Sequence, residues 1–253
     1  MNTEKHTSPE KGDPVIEIKQ LKKSFHGTRI LKGIDLTLHK GENLVVLGKS
    51  GSGKSVLIKC IVGLLKPDSG YLKILGRSMH DIQQRELDKL REKIGFLFQG
   101  GALYDSLTVK KNLEFPLRRE IKKRGQAEID KLVKEALAHV GLSETIDLMP
   151  SELSGGMKKR IGLARCLMMN PEIMLYDEPT TGLDPVTAAE INELMLGMQK
   201  KFNSSSVIIT HDMKCAKLTA DYMLVLLDGL IYAGGTYEEL ARSKDKKIKV
   251  FFE

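Results

Sequence analysis

The chain contains no tryptophan, and only seven phenylalanines and six tyrosines in 253 residues. So few rings, none interleaved with basic residues as an array, argue against recognition of single-stranded nucleic acid by stacking. Cysteine is equally sparse: Cys60, Cys166 and Cys215 are odd in number, far apart, and set in or beside apolar segments. They form neither a disulfide framework nor a zinc-ligand pattern, and fit a reducing cytoplasm. Long hydrophobic runs are missing. The longest, such as 223–227, fall far short of the roughly 20 residues that span a bilayer. The first fourteen residues are polar, with Pro9, Gly12 and Pro14, and lack the apolar core of a signal peptide. They read as a flexible tail. Charge of one sign is only in mild excess, 40 basic against 33 acidic side chains, so the net +7 pulls weakly toward anionic partners.

What is present is an alternation of short apolar runs and helical stretches, the pattern of an α/β chain with a largely parallel sheet. Leu44-Val45-Val46-Leu47, Ile173-Met174-Leu175-Tyr176 and Val207-Ile208-Ile209-Thr210 are nearly continuous apolar runs, suited to strands covered on both faces. Segments 15–18 and 34–38 alternate instead, and predict antiparallel strands with one wet face. Residues 100–161 have a different texture, rich in Lys, Arg, Glu, Ala and Leu. Within them Ile129, Leu132, Val133, Ala136, Leu137 and Val140 recur at helical spacing. A mainly helical insertion is therefore expected between two α/β halves, 15–99 and 162–240. Residues 241–253 read as a C-terminal tail whose apolar end, Val250-Phe251-Phe252, either docks or frays. The basic stretch 118–124 reads as a solvated helix end, with contact to anionic lipid head groups as the other reading.

The chemistry-bearing signals lie at the ends of the apolar runs. Gly48-Lys49-Ser50-Gly51-Ser52-Gly53-Lys54-Ser55 follows a strand and opens a helical run at Val56. That is the full phosphate-binding loop pattern. Glycines let successive backbone N–H groups turn toward phosphate oxygens, and the helix N-terminus favours an anion. Lys54 is placed to reach the β- and γ-phosphates of a nucleotide, and the Ser55 hydroxyl to ligand Mg²⁺. Asp177-Glu178 ends the buried run at 173–176, where an unpaired carboxylate is costly. Asp177 fits a magnesium-associated carboxylate and Glu178 a base that polarises the attacking water. Ser154-Gly155-Gly156, at the start of another helical run, offers a second N-terminus for phosphate.

Together these residues resemble the ATP-binding cassette family from about residue 15 to residue 240. Gln99 matches the Q-loop, Leu153-Ser154-Gly155-Gly156-Met157 the signature motif, Gly182-Leu183-Asp184 the D-loop, and His211 the switch histidine. Phe25 matches the aromatic that stacks on adenine. Met157 stands where the commonest family member has Gln. The resemblance implies a P-loop, RecA-like α/β core with an antiparallel β subdomain and an inserted α-helical subdomain. It implies ATP and Mg²⁺ as ligands, with Val56 completing the nucleotide-facing set and Gln99 joining Ser55 and Asp177 near the metal. Lys54, Gln99, Glu178 and His211 would act in hydrolysis. A homodimer is implied as well, with each nucleotide between one subunit's loop at 48–55 and the other's Ser154, Gly155 and Gly156.

The chain would then drive a separate integral membrane permease from the cytoplasmic face of a bacterial inner membrane. Phe98-Gln99-Gly100-Gly101-Ala102-Leu103-Tyr104-Asp105-Ser106-Leu107-Thr108-Val109, with Asn112-Leu113 and Phe115-Pro116-Leu117, looks like the cassettes of Mla-type phospholipid transport systems. That subgroup implies an MlaE-like permease and an MCE-domain lipid-binding protein as partners. Another importer cassette, of amino-acid or methionine type, is the alternative. A non-transport ATPase of the family acting on DNA or ribosomes is a more distant one, and no nucleic-acid partner is expected.

Overall fold

The computed structural model describes residues 12–118 and 124–252. Residues 1–11 of the expected tail, and 119–123 of the basic stretch, lie outside the described residues.

Two long alternating segments form β1 (Pro14–Phe25) and β2 (Thr28–His39). They pair antiparallel, with Ile16 opposite Leu38, Ile18 opposite Leu36 and Leu21 opposite Ile34. All six side chains are buried, which fixes the register, because a one-residue slip would turn them outward. The chain then enters a second sheet through β3 (Asn43–Leu47) and α1 (Lys54–Ile61). It returns to the first with β4 (Ser69–Ile74) and β5 (Arg77–Ser78), giving a four-stranded antiparallel sheet of order β2-β1-β4-β5.

Helix α2 (Gln84–Arg91) leads to β6 (Ile94–Leu97). Among the described residues the α-helices that follow are α3 (Val109–Glu114), α4 (Gln126–His139) and α5 (Gly155–Leu167). The rest alternates: β7 (Ile173–Asp177), α6 (Pro185–Phe202), β8 (Ser205–Thr210), α7 (Met213–Thr219), β9 (Tyr222–Leu227) and β10 (Leu230–Gly235). Two short helices, α8 (Tyr237–Ala241) and α9 (Lys246–Lys249), end it. The second sheet has the order β10-β9-β3-β8-β7-β6, with only β10 antiparallel to its neighbour.

Alternation along β3 divides the interior in two. Leu44 and Val46 face Ile16, Leu36 and Leu57 on the side of the antiparallel sheet, while Val45 and Leu47 face Ile161, Ile191 and Met195 on the helical side. Each such aliphatic contributes about 1.5–3 kcal/mol by leaving water, so strands buried on both faces must be apolar throughout. The parallel arrangement has a functional consequence. Leu47 is paired with Thr210 and Asp177 with Ile209, so the loops after β3, β7 and β8 open at one edge of the sheet. Ligands bind at such carboxyl ends in open α/β sheets.

Two segments bear on the expected divisions of the chain. Helix α5 runs unbroken through residue 161, because Ile161, Gly162, Leu163 and Ala164 are all buried within it. Of the two readings of the C-terminal stretch, docking is the one seen: Ile248 is 6% exposed and joins the main core.

Candidate nucleotide site

The loop between β3 and α1 is shaped by what its glycines exclude. A Cβ on Gly48 would stand 2.6 Å from Ser52 Oγ and 2.7 Å from the Leu226 carbonyl oxygen. Gly53, at φ 106, begins α1, and no side chain caps that helix. Its first N–H groups thus remain available to an anion. Lys54 curls back, donating from Nζ to the carbonyls of Gly48 (2.6 Å) and Lys49 (3.1 Å). Ser52 Oγ is buried and has no hydrogen-bond partner. Uncapped helix donors, an orphan hydroxyl and a buried ammonium together fit a phosphate chain.

The carboxylates lie across from this loop. Ser55 Oγ donates to Asp177 Oδ1 at 3.2 Å. Burial pushes the Asp177 carboxyl above its usual range, the neighbouring Glu178 charge adds to this, and the Ser55 bond opposes it. Among the described residues no three His, Cys, Asp or Glu side chains cluster as a metal site. Ser55 and Asp177 are nonetheless hard oxygen donors of the kind that hold Mg²⁺ jointly with substrate phosphates.

Glu178 adopts φ 52, a left-handed conformation costing a β-carbon-bearing residue about 1–2 kcal/mol. Its N–H donates to the Ile209 carbonyl at 2.9 Å, which holds the strand end in place. One carboxylate oxygen accepts from Thr181 Oγ1 (3.2 Å) and the His211 N–H (3.3 Å), and lies 2.8 Å from His211 Nδ1. The other is 3.4 Å from Lys54 Nζ. The side chain therefore bridges the phosphate loop and the loop after β8.

These loops enclose a cavity of about 720 Å³ lined by Ile30, Lys49, Ser50, Gly51, Gly53, Lys54, Ser55, Val56, Gln99, Glu178, His211, Val250 and Phe251. Gly48 and Ser52 lie in the curl of the loop behind this wall, and Asp177 is reached through Ser55. Phe25, at the end of β1, is not among the lining residues. It is 38% exposed, with the Lys23 ammonium 5.3 Å from its ring centroid. Ser154, Gly155 and Gly156 also stand apart, at the N-terminus of α5. There Ser154 Oγ accepts from the Met157 N–H at 3.2 Å, and a Cβ on Gly156 would meet Thr187 Cγ2 at 2.5 Å.

Some participants escaped the sequence reading. Lys159, buried on α5, donates from Nζ to the carbonyls of Pro179 (2.7 Å), Thr181 (2.8 Å) and Glu178 (3.3 Å). Burial draws its pKa down to about 8, against the opposing pull of Glu178. In Met157-Lys158-Lys159-Arg160 it looks like a surface cation. Its spacing with Gly156, Leu163 and Leu167, all buried on the same helix, was the available signal. Thr180 Oγ1 donates to Asp212 at 2.9 Å, tying the turn after Glu178 to the loop after His211. Ile30, Val250 and Phe251 were missed because distance along the chain hides their meeting.

Residues 31–181 match the family described as ABC transporter. Among curated relatives, a probable ribonucleotide transport ATP-binding protein of Mycobacterium tuberculosis, mkl, is 40% identical over 236 residues. The aligned part is 93% of this chain and 66% of the relative. The methionine import ATP-binding protein MetN of Mesorhizobium japonicum is 39% identical over 232 residues, 91% of this chain and 62% of that protein. The chain thus spans about two thirds of the length of these relatives. Among solved structures, the dimeric cassette MJ0796 bound to ADP and Pi superposes with a TM-score of 0.80 at 32% identity, covering 88% of this chain and 98% of that one. The cbiO1 protein of Clostridium perfringens, part of an ABC transporter complex, gives 0.83 at 33% identity, covering 95% and 96%. With the family match covering the phosphate loop, Gln99 and Glu178, and the relatives aligned over most of its length, the chain belongs to the ABC transporter family, as one of its ATP-binding cassettes.

Proposed function

We propose that this chain is the ATP-hydrolysing subunit of a transporter whose permease is a separate protein, and that its cargo is phospholipid. The observation that carries the hydrolytic reading is the convergence of Lys54, Gln99, Glu178 and His211 on one cavity. As a cassette of this family the chain is an ATPase. Its residues divide the work by position. The loop at 48–55 and the N-terminus of α1 hold the phosphates, and Lys54 neutralises their charge. Glu178, already within contact of both Lys54 and His211, orients and polarises a water, while His211 steadies that carboxylate. Gln99 reports on the site from the wall that leads toward the helical insertion. Ser55 and Asp177 are the residues that would hold Mg²⁺, whose charge would stabilise the departing phosphate oxygens.

Ser154, Gly155 and Gly156 lie outside the cavity, which supports their service to a second copy: a homodimer with composite sites. Dimeric cassettes among the solved relatives support the same reading. For the cargo, residues 98–117 and the signature with Met157 support an Mla-like role with an MlaE-like permease and an MCE-domain protein. On this reading the chain works at the cytoplasmic face of the inner membrane. No helix among the described residues is long and apolar enough to cross a membrane. A second reading, methionine import, is favoured by the likeness to MetN. Co-purification of phospholipid with the assembled transporter supports the first, and of a small solute the second.

The direct test is Glu178→Gln. It should bind ATP, accumulate as a closed dimer on size exclusion and release phosphate slowly. Normal turnover would sink the assignment of Glu178.

A further inference from the structure

Helix α5 is a firm platform beside the cavity. Ile161, Leu163 and Ala164 root it in the main core, and a Cβ on Gly156 would meet Thr187 Cγ2 of α6 at 2.5 Å. Arg160 pairs with Glu190, which joins the same two helices again. Lys159 stands three residues after Gly156, so the two share the buried face of α5. From that face its ammonium crosses to the turn after β7 and donates to the carbonyls of Pro179 (2.7 Å), Thr181 (2.8 Å) and Glu178 (3.3 Å). A lysine has three N–H donors, and here three acceptors of one turn meet them. Burying an ammonium is costly, and this one is aimed wholly at the turn that carries Glu178.

Glu178 is gripped twice by this arrangement. Its own carbonyl is one of the acceptors, and its backbone sits at φ 52, a conformation that persists only where the surroundings enforce it. Thr181 is held by its carbonyl, and its hydroxyl in turn donates to the Glu178 carboxylate at 3.2 Å. The same carboxylate oxygen lies 2.8 Å from His211 Nδ1. One side chain on α5 thus restrains the backbone of Glu178 and, through Thr181, its carboxylate. Lys159 is absent from the cavity lining, so it does this without touching the nucleotide.

Resting on the reading of Glu178 as the residue that polarises water, we infer that Lys159 is a positioning residue for ATP hydrolysis, acting through Glu178. It fixes where the carboxylate stands relative to the phosphate loop, and it leaves the binding of the phosphates to residues 48–55. Its loss therefore falls on the rate of the chemical step and spares the affinity for ATP.

Phosphate release and equilibrium ATP binding by the full chain, each expressed per folded molecule, test this. In Lys159→Met, ATP affinity should stay within about twofold of the wild type. Its kcat should fall about ten- to a hundredfold, the scale for a catalytic group that has lost its alignment. The deciding readout is a double-mutant cycle. Added to Glu178→Gln, Lys159→Met should lower the residual kcat no further, because the group it positions is already gone. Lys159→Gln keeps amide donors on a shorter stem and should lose less; it carries the same cycle if the methionine variant does not fold. Unchanged kcat in Lys159→Met overturns the inference, as does a loss explained entirely by weaker ATP binding. An equal loss of kcat in the wild-type and Glu178→Gln backgrounds overturns it too, since Lys159 would then act elsewhere. Normal turnover of Glu178→Gln alone overturns the underlying reading of Glu178, and is told apart by needing no change at Lys159.

Discussion

Replacing Lys159 by Met tests how the turn after Glu178 is held. The side chain is 5% exposed, and its ammonium has two short acceptors, the carbonyls of Pro179 and Thr181, with that of Glu178 slightly further off. Two hydrogen bonds from a charged donor contribute about 3–6 kcal/mol net of hydration. Burial opposes this. It draws the pKa from 10.5 down to about 8, so the charged form is disfavoured there. What remains, with carbonyls stranded in the variant, is a destabilisation of about 1–3 kcal/mol. For a chain of this size that lowers Tm by roughly 2–12 °C.

The pH dependence has a definite sign. Folded Lys159 holds its proton less tightly than unfolded Lys159, so the unfolded chain binds more protons between about pH 8 and 10.5, and stability rises with pH there. Lys159→Met lacks that rise, and the gap between the two proteins widens over the window. Scanning calorimetry at pH 7.5, 9 and 10 reads both effects. A variant with the Tm of the wild type at all three would refute the claim that these bonds hold the turn.

Gly48→Ala should be damaging even without a change in loop conformation, because its Cβ meets a carbonyl of β9, a strand hydrogen-bonded on both sides. We expect a loss of about 1–3 kcal/mol by thermal denaturation and a drop in ATP binding larger than that loss explains. Burial pushes the Cys60 and Cys215 thiols up to about 11 and about 12, and both side chains are fully buried. Mass spectrometry after iodoacetamide at pH 8 should find both unlabelled in the native protein and both labelled in guanidinium, where an ordinary thiol titrates near 8.5.

How much of this was legible from residues alone depends on whether the signal was local. The three double-sided strands β3, β7 and β8 were plain, because burial on both faces leaves no room for alternation. The phosphate loop was plain too, since its glycines and Lys54-Ser55 act within eight residues. The pair β1 and β2 was seen only in part: the alternation that marks it is broken by register shifts, notably between Ile18 and Leu21. The subdomain boundary drawn at 161 on composition falls inside the helical run that forms α5, because the change in composition there does not coincide with a break in burial. Lys159 resembles its solvated neighbours in type and differs only in what the turn at 178–181 places above it. Phe251 lies nearly two hundred residues from the loop it joins, a meeting set by the docking of Ile248 and Phe252.

The central claim is a site completed by two copies of the chain, and one mixing experiment addresses it most directly. Lys54→Ala disables the phosphate loop, and Ser154→Arg blocks the N-terminus of α5; each protein alone should release no phosphate from ATP. A mixed dimer holds one site assembled from the intact loop of one copy and the intact Ser154 of the other. The account predicts that phosphate release returns when the two inactive proteins are combined. Continued inactivity of a mixture shown to contain mixed dimers, or full activity of Ser154→Arg alone, would contradict it.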